Sequence, residues 1–377
     1  MSFIEDVQEL QKQGFSRNKI AKTLKCTVWA VRRALGKTYS PFEDTATSGD
    51  VEEPILRAAV VRKLRGGWRN IPNLAVYLKC GTKTVEATIE HLSESGYLVL
   101  RDGARARIVK EPQVAGQCHT DANPLLKDGW RKIGVIGDTH LASKYARLDV
   151  LEAAYDRFAE EGITDVYHTG NIVDGECRFN QYELLAHGVT DQAMYCLDNY
   201  PQRSGITTHY VTGSCHEGWW MARDGIDFGR YLQFEAKERG RTDLNYLGYM
   251  EADVKLVGPN GKSSIMRVLH PGGGSAYAMS YRPQKIIESL QGGEKPAVLL
   301  CGHFHKQGSF MIRNVWTILT GTTQDQSSFM RKLSIEAHVG YAVVSMQQDK
   351  NGAVRRRVIE ETSYYDRGYH EVMELPC

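Results

Sequence analysis

The sequence predicts an α/β protein, with a central pair of packed β-sheets flanked by helices and two small basic modules in front of them. Three observations lead to this prediction. Apolar, β-rich runs in the C-terminal two-thirds each end in a polar cluster, and segments with helical spacing lie between those runs. Lys and Arg are concentrated near the N-terminus.

Length and composition are those of a globular protein with two or three domains. The 377 residues are 42% hydrophobic and 24% charged, with a formal net charge of +2. No apolar stretch is long enough to span a bilayer, and the first residues lack the pattern of a signal peptide. The eight cysteines form no C-x-x-C pair. We therefore expect a cytoplasmic protein with reduced thiols and no membrane partner.

Charge is distributed unevenly along the chain. Residues 1–40 contain eight Lys or Arg against three acids, and residues 54–110 contain eleven against four. Residues 41–53 contain five acids and no base. A basic front end in a chain of nearly balanced charge indicates that this end holds a polyanion.

Residues 1–40 are predicted to form a helix-turn-helix, with Ser16 and Thr27 as N-caps of its later helices. A short second helix and a tight turn would leave the last helix free to lie in a DNA major groove. The side chains expected to face the DNA are Trp29, Arg32 and Arg33. A small helical protein-interaction module is the alternative. The acidic segment 41–53 is predicted to be a linker.

Residues 54–110 are predicted to form a winged helix. Three helical segments, near 55–64, 71–78 and 82–95, precede a hairpin with its turn at Asp102-Gly103. The residues expected to contact DNA are Lys83, Arg105 and Arg107. Winged helices also dock proteins, so a protein partner or a homo-oligomer is the alternative, and RNA is disfavoured because no aromatic strand platform is present. Residues 111–129 are predicted to be a second linker.

Polar clusters follow the apolar runs of the C-terminal part. In chain order they are Gly137-Asp138-Thr139-His140, Gly170-Asn171-Ile172-Val173-Asp174-Gly175, Gly213-Ser214-Cys215-His216-Glu217, His270-Pro271 and Gly302-His303-Phe304-His305. Open α/β sheets place their sites at the carboxyl ends of the strands, so we expect these clusters to converge. Convergent Asp and His side chains suit a pair of divalent cations that bridge a phosphate.

The elements between the clusters complete the prediction. Residues 148–158, 228–238 and 285–290 have helical spacing, and residues 310–319 and 341–346 alternate as antiparallel strands do.

The order of the clusters resembles the calcineurin-like metallophosphoesterase superfamily over about residues 130–345. The resemblance implies a four-layer αββα sandwich in a domain spanning 130–377, with two divalent metal ions and hydrolysis of phosphate esters. Protein phosphatases, cyclic-nucleotide phosphodiesterases and DNA-repair nucleases share this pattern, and the nuclease branch is the closest in kind.

The resemblance also implies roles for individual residues. One cation would be held by Asp138, His140 and His305, and the other by Cys215, His270 and His303, with Asn171 between them. His216 would protonate the leaving oxygen, and Asp174 would orient His216. Trp219 and Trp220 would either stack on a base or belong to the core, and we assign no role to His168 and His209.

Three positions depart from the family pattern. Asn171 replaces a metal-bridging Asp, and Cys215 replaces an Asn ligand. Gly175-Glu176 stands where protein phosphatases continue the motif as Asp-Arg-Gly with an Arg that holds the phosphate, and the absence of this Arg argues against a protein phosphatase. A Cys215 thiolate would restore the negative charge that Asn171 lacks. We expect Mn²⁺, with Zn²⁺ or Fe²⁺ as alternatives because of the sulfur.

The leading hypothesis is a metal-dependent DNA phosphodiesterase, an endo- or exonuclease, in which a hydroxide generated by two metal ions attacks the phosphodiester. One alternative is a DNA-binding regulator or scaffold with a degenerate phosphoesterase core. Another is a phosphatase or cyclic-nucleotide phosphodiesterase whose N-terminal modules serve only for localisation.

Overall fold

A computed structural model describes residues 53–111, 117–120, 127–274 and 278–365, together with six isolated positions. Residue contacts divide the chain into two compact units, Met1–Glu53 and Pro54–Cys377. The predicted helix-turn-helix and the linker that follows it lie outside the described residues, apart from Asp6, Leu10, Thr23, Leu24 and Glu53. So do Trp29, Arg32 and Arg33.

The N-terminal part of the second unit consists of three helices and a small antiparallel sheet. The helices are Glu53–Arg65 (α1), Ile71–Leu78 (α2) and Thr82–Glu94 (α3), and the strands are Arg69–Asn70 (β1), Val99–Asp102 (β2) and Arg105–Ile108 (β3). The strand order is β1-β3-β2. Asn70 caps α2, because its side chain accepts a hydrogen bond from the Asn73 amide. Leu64, Ile89 and Leu92 are fully buried between the helices. We call residues 53–111 the front module.

Backbone hydrogen bonds attach the front module to the rest of the unit. The Leu98 amide donates to the Gly225 carbonyl at 2.8 Å, and the Asp227 amide donates to the Gly96 carbonyl at 2.9 Å. The Arg65 guanidinium donates twice to the Asp224 carbonyl, at 2.8 and 3.0 Å. The module is therefore held in a fixed position on the body of this unit.

Two six-stranded sheets form the body. The first has the order β15-β14-β5-β6-β7-β8 and the second the order β12-β13-β11-β10-β9-β4. The strands are Gln117–Thr120 (β4), Trp130–Ile136 (β5), Asp165–His168 (β6), Thr207–Thr212 (β7), Leu244–Tyr249 (β8), Glu251–Val257 (β9), Ser263–Leu269 (β10), Val298–Cys301 (β11), Gln307–Ile312 (β12), Val315–Thr320 (β13), Val339–Gln348 (β14) and Val354–Tyr364 (β15).

Helices flank the two sheets. They are Leu148–Glu160 (α4), Gly188–Asn199 (α5), Trp219–Asp224 (α6), Phe228–Glu238 (α7), Tyr281–Ser289 (α8) and Ser328–Lys332 (α9). Side chains of both sheets, such as Ile133 and Val268, share one buried cluster, whereas helical residues such as Phe158 and Ile287 belong to outer clusters. The predicted mixed α/β fold with sheets flanked by helices is confirmed. Among the described residues, no helix has the length and hydropathy needed to cross a bilayer.

The structure corrects three sequence-based expectations. Part of the predicted linker 111–129 forms β4, which pairs in parallel with β9, and His119 in it bonds the Leu247 carbonyl at 2.7 Å. The stretch 310–319 is a hairpin, because Arg313 and Asn314 have φ angles of 46° and 66° that turn the chain. The helix predicted at 285–290 begins at Tyr281.

A substitution at Gly96 would test how the front module is attached to the rest of the unit. The φ of Gly96 is 88°, and a Cβ there would lie 2.8 Å from the backbone of Asp227 and Tyr231. We expect Gly96→Ala to lower the free energy of unfolding by about 3 kcal/mol. The new Cβ would displace the neighbouring backbone, and the alanine would have to adopt a strained φ. Gly103→Ala is the control, since its φ is 55° but nothing lies within 4 Å, and it should cost only about 1 kcal/mol. Equal losses in denaturant unfolding would contradict the role of Gly96.

Candidate metal centre

Strand ends bring the polar clusters to one edge of the two sheets. Strands β5, β6 and β7 run parallel in the first sheet, and β10, β11 and β13 run parallel in the second. Because parallel strands end at the same edge, the residues that follow them meet in one crevice. Two separate groups of potential metal ligands lie there, and a third group, His140, Asp174 and His216, shares His140 with one of them. The ligand atoms within each group are no more than 4.8 Å apart.

The first group contains one carboxylate and two imidazoles. Asp138 Oδ1 lies 3.3 Å from His305 Nε2 and 3.8 Å from His140 Nε2. The two imidazole nitrogens are 3.1 Å apart. All three side chains are nearly or fully buried.

The second group contains a thiol and two imidazoles. Cys215 Sγ lies 3.7 Å from His270 Nε2 and 3.7 Å from His303 Nδ1. His270 is fully buried, and the other two side chains are partly exposed towards the crevice.

The spacing of these atoms fits tetrahedral coordination. Ligands at about 2.3 Å for sulfur and about 2.0 Å for nitrogen or oxygen would be separated by roughly 3.3–3.6 Å. The five distances given above lie between 3.1 and 3.8 Å. The donor sets, O/N/N in one group and S/N/N in the other, therefore fit divalent cations, with sulfur favouring zinc or iron in the second group.

Hydrogen bonds at the opposite ring nitrogens fix the imidazoles. His140 Nδ1 bonds Asp174 Oδ1 at 2.8 Å, His270 Nδ1 bonds the Thr169 carbonyl at 2.8 Å, and His303 Nε2 bonds the Gly273 carbonyl at 2.5 Å. A ring that donates from one nitrogen presents the lone pair of the other, which is how ligating histidines are usually oriented.

Burial and nearby charges set the protonation of the ligands. Burial lowers the pKa of His270 to about 3 and also lowers the pKa of His303 and His305, which keeps these rings neutral. Burial would also lower the pKa of His140, but Asp138 and Asp174 outweigh it and raise that pKa to about 9. A cation in the first group would take the place of the proton between His140 and His305.

Burial also affects the pKa values of the carboxylate and thiol ligands. Burial opposes ionisation of Asp138, but the surrounding histidines outweigh it and hold its pKa well below the usual range. Burial and the Glu217 carboxylate raise the pKa of the Cys215 thiol to about 12, so a cation must displace this proton to bind the sulfur.

Asn171 lies between the two groups. Its Nδ2 is 3.4 Å from Asp138 Oδ1, and its Oδ1 is 3.7 Å from Cys215 Sγ. The amide nitrogen is also 3.8 Å from Cys215 Sγ, so both ends of the amide lie close to the sulfur. A half-turn of the amide exchanges the two atoms, and a neutral amide bridges two cations less strongly than the carboxylate of the family pattern.

His216 stands beside the first group. Its ring lies edge-on to that of His140 with centroids 4.5 Å apart, and Trp219 stacks on it at 5.7 Å. Its Nδ1 donates to the Asp174 carbonyl oxygen at 2.7 Å, whereas the Asp174 carboxylate is 3.5 Å away. Asp174 therefore holds His216 mainly through its main chain, and its carboxylate chiefly bonds His140. This differs from the simple carboxylate–imidazole pair that the sequence suggested.

Left-handed backbone is concentrated at the centre. Thirteen non-glycine residues in the described part of the chain have positive φ angles. Six of them carry the side chains discussed above: Asp138, His140, Asn171, His216, His303 and His305. Such conformations cost about 1–3 kcal/mol each and persist where surrounding structure enforces them, commonly at functional sites. The bends at His303 and His305 allow both rings to point into the crevice.

Sequence reasoning missed a further cluster that follows β13. Thr322 Oγ1 donates to the Asp138 carbonyl at 2.6 Å, and Gln324 Nε2 lies 3.4 Å from Asp174 Oδ1. The signal was available, since these polar residues also follow a buried strand. Glu217, which the sequence left without a definite role, accepts from the Asn171 and Gly213 amides at 2.8 and 3.0 Å and ties two of the site loops together.

Other residues singled out from the sequence lie elsewhere. Trp220 is 1% exposed and packs on Phe228 in the core. His168 bonds Thr139 at 3.0 Å, and His209 pairs with Asp165 at 2.7 Å. The predicted DNA contacts are in the front module, where Lys83 is exposed in the first turn of α3 and Arg105 and Arg107 lie on β3.

Comparison with known families identifies the class of protein. Residues 132–348 match the model of the calcineurin-like phosphoesterase superfamily domain. The match spans more than half of the chain, so the chain belongs to this superfamily. The protein is a metal-dependent phosphoesterase, a hydrolase.

Several solved structures are similar to the chain, with TM-scores below 0.5. An archaeal phosphodiesterase is 12% identical, covers 62% of this chain and 100% of its own, and has a TM-score of 0.34. Vps29 from Entamoeba histolytica, complexed with zinc, is 14% identical, with coverage of 62% and 99% and a TM-score of 0.30. A hypothetical protein from Pyrococcus horikoshii OT3 is 12% identical, with coverage of 64% and 91% and a TM-score of 0.35. A comparison with curated proteins finds no match.

The second ligand group makes a prediction about metal content. Replacing the thiol in Cys215→Ser should lower zinc affinity by at least about tenfold, because a hydroxyl is a poor substitute for a thiolate. Elemental analysis after dialysis should then show loss of about one ion per chain, with the ion of the first group retained. Cys301→Ser is the control, since Cys301 is buried and is in neither group. Unchanged zinc content in Cys215→Ser would contradict a sulfur-containing site.

Proposed function

We propose that the protein is a phosphodiesterase that cleaves DNA with the help of two divalent metal ions. The observation that carries this proposal is that His216 and two members of each ligand group, His140 and His305 of one and Cys215 and His303 of the other, line one cavity of about 330 Å³. The chemistry is that of the family, and the choice of a diester and of DNA comes from the features described next.

The protein's own side chains divide into ligands and a proton donor. Asp138, His140 and His305 would hold one cation, and Cys215, His270 and His303 the other, with Asn171 between them. When bound, such ions supply Lewis acidity at the phosphate and make a water molecule nucleophilic at neutral pH.

His216 is the proton donor for the leaving group. Donation from Nδ1 to the Asp174 carbonyl fixes the ring and leaves Nε2 for the substrate. In the hydrolysis, a water oxygen bonds to phosphorus and releases one proton to solvent, the bond to the leaving oxygen breaks, and that oxygen takes the Nε2 proton of a protonated His216. Stacking of Trp219 keeps the ring in this orientation.

A phosphodiester suits the cavity better than a phosphomonoester. None of the described residues that line it is Lys or Arg. Gly175-Glu176 stands where protein phosphatases carry an Arg-Gly pair whose Arg holds the phosphate, and Glu176 accepts from the Gly188 amide at 2.7 Å. A monoester dianion would lack the guanidinium that balances its second charge, whereas a diester carries a single charge.

The front module supports DNA as the substrate. It carries a large excess of basic residues, and the Arg105 and Arg107 guanidinium groups lie 5.6 and 5.0 Å from the centre of the Trp68 ring. A cationic and aromatic surface of this kind suits contacts with a sugar–phosphate backbone. We propose that residues 54–110 act as a winged helix here, with Arg105 and Arg107 on its wing.

A DNA-binding scaffold is the second candidate. The observation that favours it is Asn171, because its neutral amide stands where the family pattern has a carboxylate that bridges the two cations. If the core is degenerate, the front module would still bind DNA and no bond would be cleaved.

Cleavage assays separate the two candidates. Purified protein is incubated with labelled single-stranded and duplex DNA in the presence of Mn²⁺, Mg²⁺, Zn²⁺ or Fe²⁺. The proposal expects products with at least one metal and none with chelator. Tight DNA binding without cleavage under every metal would reject the enzyme and favour the scaffold.

His216 gives a more specific test. His216→Ala should lower kcat by about 10²–10⁴-fold, because general acid catalysis of the leaving group is lost. Metal content, measured by elemental analysis, should stay at the wild-type level. His187→Ala is the control, since that ring is 57% exposed and lies outside the cavity. Unchanged kcat in His216→Ala would remove this residue from the mechanism.

The front module makes a separate prediction about DNA binding. Replacing Arg105 or Arg107 by Ala should weaken affinity for DNA and reduce the salt dependence of log Kd by about one charge each, as loss of a phosphate contact does. Arg313→Ala is the control, because Arg313 is exposed on the body and pairs with Glu288. An unchanged salt slope in fluorescence anisotropy titrations would exclude β3 as a contact surface.

A further inference from the structure

The cavity beside the metal centre has a second wall that the metal chemistry does not use. This wall is formed by the loop after β6 and by α9 with the residues that follow it. Its apolar side chains are Phe179, Phe329, Met330, Leu333 and Ile335. The wall faces the same space as His216 and the ligand groups, so whatever occupies it is joined to, or lies next to, the bound phosphate.

Three of the apolar side chains of this wall are largely exposed. Phe179 is 64% exposed, Phe329 is 46% exposed and Leu333 is 52% exposed. The two phenyl rings are 5.7 Å apart and tilted by 37°. Neighbouring exposed apolar residues at the mouth of a cavity mark a ligand surface more often than a structural one.

Positively charged side chains lie next to the apolar wall, outside the described lining of the cavity. The described lining of the cavity contains no Lys or Arg, but exposed Arg178 adjoins Phe179, and exposed Arg331 and Lys332 lie between Met330 and Leu333 in the chain. Cations thus sit outside the aromatic wall on the same two segments. This arrangement suits a ligand with an uncharged planar group inside and a negatively charged backbone outside.

We propose that Phe179 and Phe329 receive an unpaired nucleobase next to the scissile phosphate, so that the enzyme acts on single-stranded DNA or on frayed ends. This rests on the proposed DNA phosphodiesterase function. A paired base is held inside the duplex stack and must leave it before it can enter a side pocket, which disfavours intact duplex. A cavity of about 330 Å³ lies at the small end of the usual range for ligand pockets, about 300–1,000 Å³, and suits one nucleotide.

The test compares three probes in the metal that supports cleavage: a single-stranded thymidine oligonucleotide, the same strand annealed to its complement, and a strand of equal length made of abasic sugar–phosphates. Wild-type kcat/KM should be roughly 10- to 100-fold higher for the thymidine strand than for the abasic strand, the range that one base–aromatic stack supports. The duplex should be cleaved more slowly than the single strand.

Variants assign this preference to the wall. Phe179→Ala and Phe329→Ala should each lose most of the preference for thymidine while cleaving the abasic strand at the wild-type rate, because neither ring touches the metal ligands. Tyr182→Ala is the matched control, since Tyr182 is 82% exposed in the same loop but does not line the cavity. It should behave as wild type.

The outcomes distinguish this inference from the function on which it rests. Cleavage of the thymidine and abasic strands at equal rates, or faster cleavage of the duplex, would overturn the aromatic pocket and leave the phosphodiesterase intact. So would retention of the full thymidine preference in both phenylalanine variants. No cleavage of any strand under any metal would overturn the proposed function and this inference together.

Discussion

The centre depends on one constraint, which is that carboxylate, imidazole and thiol side chains are held within a few ångströms of each other at a buried sheet edge. Parallel strands in both sheets end there, and the loops after β5, β6 and β11 bend through left-handed backbone at Asp138, Asn171 and His303. His303 and His305 are only two residues apart, yet each has a left-handed φ and each belongs to a different ligand group. Strain in the main chain is thus the cost of the ligand geometry.

The same constraint makes the site electrostatically unfavourable unless positive charge is supplied. His140 and His305 present nitrogens to each other at 3.1 Å, which requires a proton or a cation between them. His305 Nδ1 and Glu217 Oε2 are buried atoms to which the structure gives no hydrogen-bond partner. Burial raises the pKa of Glu217 to about 8, so its carboxyl is mostly protonated near neutral pH. Metal binding should therefore couple to folding, as it does in other proteins whose ligands are preassembled at a cost.

Much of the site could be predicted from the sequence, because the ends of buried strands can be recognised from the residue pattern. A buried, β-rich run followed by Asp or His gives the position of Asp138, His270 and His303 without any coordinates. Partners chosen by tertiary packing are not readable in this way. Asp174 bonds His140 through its carboxylate and His216 through its carbonyl, a division that a spacing pattern does not encode.

The apolar wall shows the same limit on a larger scale. Phe179 and Phe329 are 150 positions apart and belong to segments with no shared motif. Only the fold places their rings 5.7 Å from each other at the mouth of the metal cavity. Strand β4 was missed for a related reason, since its four residues lack an apolar alternation and are ordered by pairing with β9. Local sequence patterns thus locate the candidate ligands, whereas contacts between distant segments determine which side chains surround them.

Anomalous X-ray scattering from crystals of the purified protein tests the central claim most directly. Our account predicts two peaks per chain, one enclosed by Asp138, His140 and His305 and the other by Cys215, His270 and His303, with absorption edges that identify each element. Crystals that show no peak at either position, after growth with Mn²⁺ or Zn²⁺ present, would contradict it.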